Sequence, residues 1–389
     1  MRIRSGSLAL LGGLAIVVSA CTGGGATTPP SVAPSVAPSV AASVAPSVAP
    51  STGSTLKIGV VTDIGSLNDK NFNEYAYKGA VAGATDIGAA APKSVVPKDS
   101  TEYAADIKSF TDQKFDVIVT VGFNLTNDTV TAAKANPNTW FIGVDQAPCV
   151  DATGAADPTF TCKGDAKTLL PKYISITYQE DQAGYLAGMV AASISKVGTV
   201  AAIGGTSLCA PCIRYIQGYV LGATSINPSI KVKTAYVTAD FSSKAFGDPV
   251  YGKQYGGSFI AQNKPDVIFQ VAGATGNGIL DAACADKIYG IGVDVDQFLS
   301  YPNADACIVT SAEKHLTNSV EATIKTIAAG TAVGGPQVFN AANDGIGISD
   351  FHDKTSLISA DLTAKLATAL AGMKDGSLKT CPSNCGSLK

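Results

Sequence analysis

Two stretches of the sequence, WFIGVDQ at residues 140–146 and YGIGVDVDQ at residues 289–297, share one pattern. In each stretch, a short apolar run that predicts a buried strand ends in an aspartate, Asp145 or Asp294. Open α/β sheets bind ligands at the carboxyl ends of their strands. Two such sheets that face each other would place these two carboxylates on opposite walls of one cleft. The repeated pattern therefore predicts two lobes with a ligand site between them.

The segments around these stretches alternate between strand-like and helix-like patterns. Short apolar runs that end in a polar or glycine turn predict buried parallel strands at 56–62, 116–122 and 139–144, and a second set of strands is predicted at 199–204, 231–237, 266–271 and 288–293. Helical patterns lie between them at 73–87, 126–135, 183–195, 213–225 and 278–287. This alternation is typical of an α/β fold with parallel sheets. The chain from residue 56 onward is long enough for two lobes with cores of their own.

The N-terminal segment has the features of a secretion signal. Arg2 and Arg4 precede an apolar run from Leu8 to Val18, and small residues lead to Cys21. The run is shorter than the about 20 apolar residues that a membrane span needs. A cysteine in this place is similar to the lipobox of bacterial lipoproteins, although ordinary cleavage beside an incidental cysteine is an alternative. We expect residues 1–20 to be removed and Cys21 to carry a lipid that anchors the protein on the extracytoplasmic side of the cell membrane.

A low-complexity segment at residues 21–55 follows the predicted anchor. Its Ser-Val-Ala-Pro repeats run from about residue 31 to residue 51. Regular proline favours the extended polyproline II conformation, which makes such a segment a semi-rigid spacer. The pattern predicts a tether that holds the folded body away from the membrane.

Charge and histidine content argue against nucleic-acid binding and against most enzyme classes. The formal net charge is −3, and acidic and basic residues are interspersed, so the sequence lacks a basic stripe for nucleic acid. Neither His315 nor His352 has a nucleophile elbow or metal-ligand spacing beside it. The stretch GATGNG at 273–278 differs in glycine order from the dinucleotide fingerprint. We expect a protein that is not an enzyme and that holds neither a metal nor a cofactor.

The cysteine count suggests disulfides. Lipidation of Cys21 would leave eight of the nine cysteines in an oxidising compartment. Proximity along the chain suggests the pairs Cys149–Cys162, Cys209–Cys212, Cys284–Cys307 and Cys381–Cys385, out of 105 possible pairings. The stretch CAPC at 209–212 also fits a thioredoxin-like redox site, but a loop precedes it and its surroundings are not thioredoxin-like. A structural disulfide is the preferred interpretation, and an extracytoplasmic thiol–disulfide protein stays an alternative.

A series of short motifs runs through the folded part in a fixed order. It begins with VVTDIG at 60–65 and NDKNFN at 68–73, and it continues with QAGYLAG at 182–188, DVIFQVAG at 266–273, IGVD at 291–294 and TSAEK at 310–314. Together these motifs resemble the basic membrane protein family over about residues 56–351. The members of this family are substrate-binding lipoproteins of ABC importers, and purine nucleoside receptors are among them.

The resemblance implies an α/β fold of the type I periplasmic-binding architecture, with two Rossmann-like lobes of parallel sheets joined by a three-strand hinge. We expect lobe I to comprise residues 56–170 and 311–340, and lobe II residues 171–310 and 341–389. A monomer of this kind would bind a nucleoside, with a purine expected, and deliver it to the permease subunits of an importer. A lipoprotein that senses the ligand for a membrane receptor is the alternative.

The resemblance also implies aromatic residues for the base. Phe72 and Phe246 match the two rings that stack on its faces, and stacking contributes about 1–3 kcal/mol per base. Phe241 lies five residues before Phe246 and is an alternative for the second ring.

Polar residues complete the implied nucleoside site. Asp63, Asn73 and Asp145 match positions beside the base, where amide and carboxylate groups bond to its edges. Asp294 matches the carboxylate that accepts hydrogen bonds from the sugar hydroxyls, and Lys314 matches its cationic partner. Gly273 matches a position where the backbone approaches the ligand and a Cβ would intrude.

Overall fold

The computed structural model describes residues 53–387. Cys21, the predicted signal segment and the predicted spacer up to residue 52 lie outside the described residues. None of the helices in the described range combines the length and the apolar character that crossing a bilayer requires.

Twelve strands lie within the described residues, and they form two sheets of six strands each. Numbered along the chain, they are β1 (Ile58–Val61), β2 (Lys93–Val95), β3 (Val117–Val121), β4 (Trp140–Val144), β5 (Tyr173–Tyr178), β6 (Thr199–Thr206), β7 (Lys231–Thr238), β8 (Val267–Val271), β9 (Tyr289–Asp294), β10 (Ile308–Lys314), β11 (Gly335–Phe339) and β12 (Ile346–Ile348).

Eleven α-helices in the same range connect and cover these strands. They are α1 (Phe72–Asp86), α2 (Tyr103–Asp112), α3 (Thr126–Ala135), α4 (Ala166–Leu169), α5 (Glu180–Ile194), α6 (Ala210–Ile226), α7 (Pro249–Asn263), α8 (Gly273–Ala285), α9 (Gln297–Ser300), α10 (Leu316–Ala328) and α11 (Ala360–Lys374).

The first sheet has the strand order β11-β5-β4-β3-β1-β2, and all of its pairs are parallel. The second has the order β12-β10-β9-β8-β6-β7, and only the pair β10–β12 is antiparallel. Central strands such as β1, β3 and β8 are buried along their whole length. Burial on both faces is what the continuous apolar runs predict for parallel strands.

The predicted α/β fold with two lobes and parallel sheets is confirmed. The chain passes between the sheets three times, after β5, after β10 and after β11. After the second passage, α10 packs against α1 of the first lobe, where Thr317 Oγ1 donates a hydrogen bond to Tyr75 O at 3.0 Å. The predicted boundaries of the lobes at 170/171, 310/311 and 340/341 stay a prediction.

The helix pair α5 and α6 packs backbone against backbone. A Cβ added to Gly184 would lie 2.1 Å from Tyr215 O, and one added to Gly222 would lie 1.9 Å from Tyr185 O. Gly188 and Gly218 make equally close approaches across the same interface. Glycine is required here because any side chain would push the two helices apart.

The structure contains the four disulfides that proximity suggests, Cys149–Cys162, Cys209–Cys212, Cys284–Cys307 and Cys381–Cys385. The last of them closes a short C-terminal loop that lies against α6. There, Gly386 N donates a hydrogen bond to Gln217 Oε1 at 2.8 Å, and Thr380 donates one to Asp181 of α5. The C-terminal loop thus covers the side of the helix pair near the start of both helices.

Candidate functional site

A cleft lies between the two sheets, and residues from both sides line it. All eight residues that the resemblance implies for ligand binding line this cleft: Asp63, Phe72, Asn73, Asp145, Phe246, Gly273, Asp294 and Lys314.

Asp145 and Asp294 occupy equivalent places at the ends of two strands. Asp145 follows β4 of the first sheet, and Asp294 ends β9 of the second. Both have left-handed backbone angles, with φ of 59° and 64°. Aspartate tolerates this conformation better than most residues, and it turns each carboxylate out of its strand. The repeated sequence pattern therefore corresponds to a repeated local structure, a strand that ends in an aspartate at the cleft.

Lys314 lies between these carboxylates at the end of β10. Its Nζ is 2.5 Å from Asp145 Oδ2, 3.3 Å from Glu180 Oε1 and 3.7 Å from Asp294 Oδ1. The nearest partner is thus Asp145 of the other sheet, whereas the resemblance implies Asp294. Burial alone would lower the pKa of Lys314, but the attraction of these three carboxylates outweighs it and raises the pKa above its usual range. Lys314 therefore stays protonated.

The two aspartates differ in the oxygens that they leave for a ligand. Asp145 Oδ1 is buried and has no hydrogen-bond partner within residues 53–387. Asp294 Oδ1 accepts a hydrogen bond from the Tyr215 hydroxyl at 3.1 Å. Burial raises the pKa of both carboxyl groups, that of Asp145 to about 6, while the charge of Lys314 works in the opposite direction. A buried acceptor without a partner is costly, so a ligand donor that reaches Asp145 Oδ1 would be stabilised there.

Glu180 and Arg214 extend the charged group behind Lys314, and neither residue is predicted as a site residue from the sequence. Arg214 Nε donates a hydrogen bond to Glu180 Oε2 at 2.5 Å, and the Glu180 side chain is fully buried. Burial would raise the pKa of Glu180, but the attraction of Arg214 and Lys314 lowers it. The signal in the sequence is weak: two adjacent acids, Glu180 and Asp181, stand just before the motif at 182–188, and one arginine lies in a largely apolar helix.

Aromatic rings enter the cleft from both lobes. Phe72 begins α1 in the first lobe and lies 5.3 Å, ring centroid to atom, from Lys314 Nζ. Phe246 comes from the second lobe, and its ring centroid is 6.4 Å from that of Phe123, another cleft residue that the sequence analysis does not name. Phe241 is 39% exposed and lines a neighbouring cavity instead of the cleft. The geometry favours Phe246 over Phe241 as the second ring.

Asp63 and Asn73 lie together on the wall of the first lobe. Asp63 accepts hydrogen bonds from the Tyr103 hydroxyl and from Ile64 N, the latter at 2.7 Å. Its pKa is raised by burial, against the effect of these hydrogen bonds. Asn73 Nδ2 donates to Asp63 O at 3.5 Å, and Asn73 Oδ1 is a buried acceptor without a partner among the described residues. Asn73 therefore offers its carbonyl oxygen to a ligand.

Gly273 has a φ of 53°, and a Cβ at this position would lie 3.2 Å from Phe246 O. The missing side chain thus lets the Phe246 backbone approach the first turn of α8. In this structure Gly273 shapes the cleft by placing Phe246.

Two hydrogen bonds join the lobes at the segment 63–71. Asn277 Nδ2 of α8 donates to Asp69 O at 3.0 Å, and Ser300 Oγ of α9 donates to Lys70 O at 2.8 Å. Each links a side chain of the second lobe to a backbone oxygen of the first. These bonds link the two lobes at one side of the cleft.

One group of side chains in the described range has ligand atoms close enough for a metal ion: Asp181, Cys381 and Cys385. Its two cysteines are joined to each other in a disulfide. Because metals bind the thiolate form of cysteine, this group does not make a metal site in the oxidised protein.

The comparisons with known proteins agree with this geometry. A family model described as ABC transporter substrate-binding protein PnrA-like matches residues 56–370. The ABC transporter nucleoside-binding protein BmpA of Lactococcus lactis subsp. cremoris is 29% identical over 253 residues, which are 62% of this chain and 64% of that protein. Basic membrane protein D of Borreliella burgdorferi is 27% identical over 297 residues, which are 75% of this chain and 78% of that protein. The match to the Lactococcus protein thus covers slightly less than two thirds of its length.

Solved structures show the same fold. An ABC transporter solute-binding protein from Aeropyrum pernix K1 superposes with a TM-score of 0.69 at 20% identity, over 83% of this chain and 92% of that one. A solute-binding protein from Conexibacter woesei gives a TM-score of 0.60 at 20% identity, over 83% and 98% of the two chains.

Proposed function

Because this chain belongs to the PnrA-like family of ABC transporter substrate-binding proteins, we propose that it binds a nucleoside between its lobes. The family consists of solute-binding proteins and not of enzymes. We further propose that the protein acts as a monomer outside the cytoplasm and passes the nucleoside to the permease subunits of an importer. The Lactococcus relative, which is named for nucleoside binding, supports the choice of ligand class.

The observation that carries the proposal is the combination of groups in one closed cleft. Phe72 and Phe246 supply flat apolar surfaces from the two lobes, which suits the faces of a base. Asn73 Oδ1 and Asp145 Oδ1 are buried acceptors without partners among the described side chains, and they suit the N–H groups of a base edge. Asp294 adds a carboxylate that can accept hydrogen bonds from sugar hydroxyls. A purine offers more stacking area than a pyrimidine, so we propose a purine nucleoside.

The charges in the cleft support a neutral ligand. Asp63, Asp145 and Asp294 line the cleft, with Lys314 as the cation that contacts two of them. The second cation nearby, Arg214, is already bonded to Glu180. A 5′-phosphate would bring about two further negative charges toward these carboxylates. Nucleotides should therefore bind much more weakly than nucleosides.

The stacking part of the proposal can be tested by removing one ring. We expect Phe246→Ala to lower the affinity for adenosine or guanosine about ten-fold or more, because stacking contributes about 1–3 kcal/mol per base. Isothermal titration against four nucleosides, with two purines and two pyrimidines, measures the change. Phe241→Ala is the matched control, since this ring lies outside the cleft. Loss of binding in the control alone would move the stacking role to Phe241.

The sugar part can be tested with Asp294→Ala and a ligand series. We expect this variant to lose tight nucleoside binding, because two charge-assisted hydrogen bonds disappear. In the wild-type protein, adenine should bind far more weakly than adenosine, since a site built for hydroxyl groups rejects analogues that lack them. Equal affinities for adenine, adenosine and adenosine monophosphate would contradict both the role of Asp294 and the nucleoside proposal.

We also propose that Cys21 carries the lipid that tethers the protein to the membrane. The basic start, the apolar run and the small residues before Cys21 support this step. Cys21→Ser should shift the protein from the membrane fraction to the soluble extracytoplasmic fraction. Cell fractionation measures the shift, and an unchanged membrane fraction would contradict the lipid anchor.

A further inference from the structure

The disulfide Cys209–Cys212 forms part of the cleft wall. Both of its cysteines line the cleft, together with Pro211 and Tyr215. They are 2% and 4% exposed, and the cleft gives a small molecule access to them. Of the four disulfides in the described range, this is the one whose two cysteines both line the ligand cleft.

The same disulfide begins helix α6. Cys209 is the N-cap residue, and its Sγ accepts a hydrogen bond from Cys212 N at 3.1 Å. Helix α6 is 17 residues long, and the positive end of its dipole lies at this sulfur. A thiolate formed at Cys209 would therefore be stabilised.

The first two turns of α6 also position the charged groups of the cleft. The Tyr215 hydroxyl donates hydrogen bonds to Asp294 Oδ1 at 3.1 Å and to Ala312 O at 3.3 Å. Arg214 holds Glu180, which in turn lies 3.3 Å from Lys314 Nζ. A change in the first turn of α6 therefore reaches both Asp294 and Lys314 through direct contacts.

We propose that nucleoside binding and reduction of Cys209–Cys212 oppose each other. The disulfide form presents the wall that fits the ligand. In the dithiol form the two sulfurs separate to van der Waals contact, which displaces Pro211 and the turn that carries Tyr215. A bound nucleoside, in turn, keeps the lobes closed over the disulfide and shields it from reductants. This inference rests on the proposed nucleoside site and adds a redox control to it.

The reaction is an ordinary thiol–disulfide exchange with a small dithiol. A thiolate of the reductant attacks Cys212 Sγ, the S–S bond breaks, and Cys209 leaves as the thiolate that the helix end stabilises. The second thiol of the reductant then displaces Cys212 and closes the reductant to a cyclic disulfide. The protein gains two electrons and two protons, and the dithiol loses the same number.

Thermodynamic linkage sets the size of the effect. If reduction weakens nucleoside binding by a given factor, a saturating nucleoside shifts the disulfide–dithiol equilibrium by the same factor. A ten-fold weaker affinity corresponds to a lowering of the reduction potential by about 30 mV. The factor by which reduction weakens the affinity and the shift in reduction potential must therefore agree.

The first experiment uses the wild-type protein with dithiothreitol, in the presence and absence of a saturating nucleoside. Free thiols are alkylated, and peptide mass spectrometry reports the redox state of each disulfide. We expect dithiothreitol to reduce Cys209–Cys212 in the free protein. In the liganded protein, the reduced fraction of this disulfide should be at least ten-fold smaller. The other three disulfides are internal controls, and their reduction should not depend on the ligand. Equal reduction with and without ligand, or no reduction in either, would overturn the proposal.

The second experiment compares two double variants by titration with the same nucleoside. Cys209→Ser with Cys212→Ala removes the disulfide but keeps a side-chain oxygen at the N-cap. We expect it to bind about ten-fold more weakly than the wild type. Cys284→Ser with Cys307→Ser, which removes a disulfide away from the cleft, should change the affinity less than two-fold. Circular dichroism confirms that both variants fold, and should the first variant not fold, the wild-type reduction experiment decides alone.

The two proposals fail in different ways. If the oxidised wild-type protein binds none of the four nucleosides, the proposed function fails. If the oxidised protein binds a nucleoside and the reduced protein binds it equally well, only the redox inference fails.

Discussion

The two strand ends that carry Asp145 and Asp294 have the same local structure but different partners. Each aspartate follows an apolar strand and has a left-handed backbone. Asp145 is bonded at 2.5 Å to Lys314, which belongs to the other sheet. Asp294 is 3.7 Å from the same lysine and is held by Tyr215 of its own lobe. The first contact crosses the cleft, whereas the second lies within one wall.

This difference shows that a repeated sequence pattern can place two identical groups without giving them the same role. We interpret Asp145 as a group that ties the two sheets together through Lys314. Asp294 is fixed by its own lobe and keeps its position when the lobes separate. Three measurements can distinguish these two roles.

The first test removes the shared cation. We expect Lys314→Met to lower the free energy of unfolding by about 3–5 kcal/mol, because it leaves buried carboxylates without their counter-charge. Urea denaturation measures the loss. Lys325→Met is a matched control, since Lys325 pairs with Asp86 on the surface, where solvent screens the ion pair, and its loss should cost far less stability.

A second substitution makes this test specific for the contrast between the aspartates. In the Lys314→Met background, Asp145→Asn should recover more stability than Asp294→Asn, because Asp145 is the closer partner. Equal recovery by the two substitutions would show that Lys314 serves both carboxylates alike and would contradict their different roles.

The second test uses pH. Burial raises the pKa of Asp145 from 3.8 to about 6 in the folded protein. Between these values the folded state binds the proton and the unfolded state does not. The contribution of Asp145 to stability is therefore largest below about pH 4 and falls as the pH rises to about 6. The stability of the wild type relative to Asp145→Asn should fall by up to about 3 kcal/mol over this range.

Thermal unfolding of the ligand-free wild type and of Asp145→Asn from pH 4 to pH 7 measures this difference. Asp86→Asn is the control for a surface aspartate, since the hydrogen bond from Lys325 and its positive charge lower the pKa of Asp86 instead of raising it. A difference between wild type and Asp145→Asn that stays constant with pH would contradict the raised pKa.

The third and smallest effect concerns the contacts that close the cleft at residues 63–71. Ser300→Ala removes the hydrogen bond to Lys70 O, and we expect a loss of about 1 kcal/mol in nucleoside binding, or about five-fold. The loss should appear as faster dissociation, since an opened cleft releases its ligand. Stopped-flow measurements give the rates. Ser258→Ala, on the exposed face of α7, is the control and should leave both rates unchanged.

The sequence predicts the fold and much of the cleft for identifiable physical reasons. The central parallel strands are nearly continuous apolar runs, as residues 140–144 and 267–271 show. Asp145 and Asp294 stand at the ends of such runs, so the strand ends alone bring them to the cleft. β5 and β10 are not predicted, because polar residues interrupt their apolar pattern.

The charged group behind the cleft could not be predicted from the sequence. Glu180 and Arg214 lie 34 positions apart and meet because α5 and α6 pack closely. The preference of Lys314 for Asp145 depends on how the two sheets face each other, which local patterns do not encode. The residues of one strand end can be predicted from that strand, but contacts between elements require the packed structure.

The glycine interface between α5 and α6 has a mechanical consequence. Four positions admit only a hydrogen atom, so the two helices cannot slide or separate without losing contact along their backbones. The two helices therefore form one rigid unit. Glu180 at the start of α5 lies beside the passage between the lobes, and Cys209 at the start of α6 lies in the cleft wall. We therefore expect a rotation at the passage to move the cleft wall with it. Alanine at Gly184 or Gly222 would push the two helices apart, and it should uncouple lobe closure from the shape of the cleft wall.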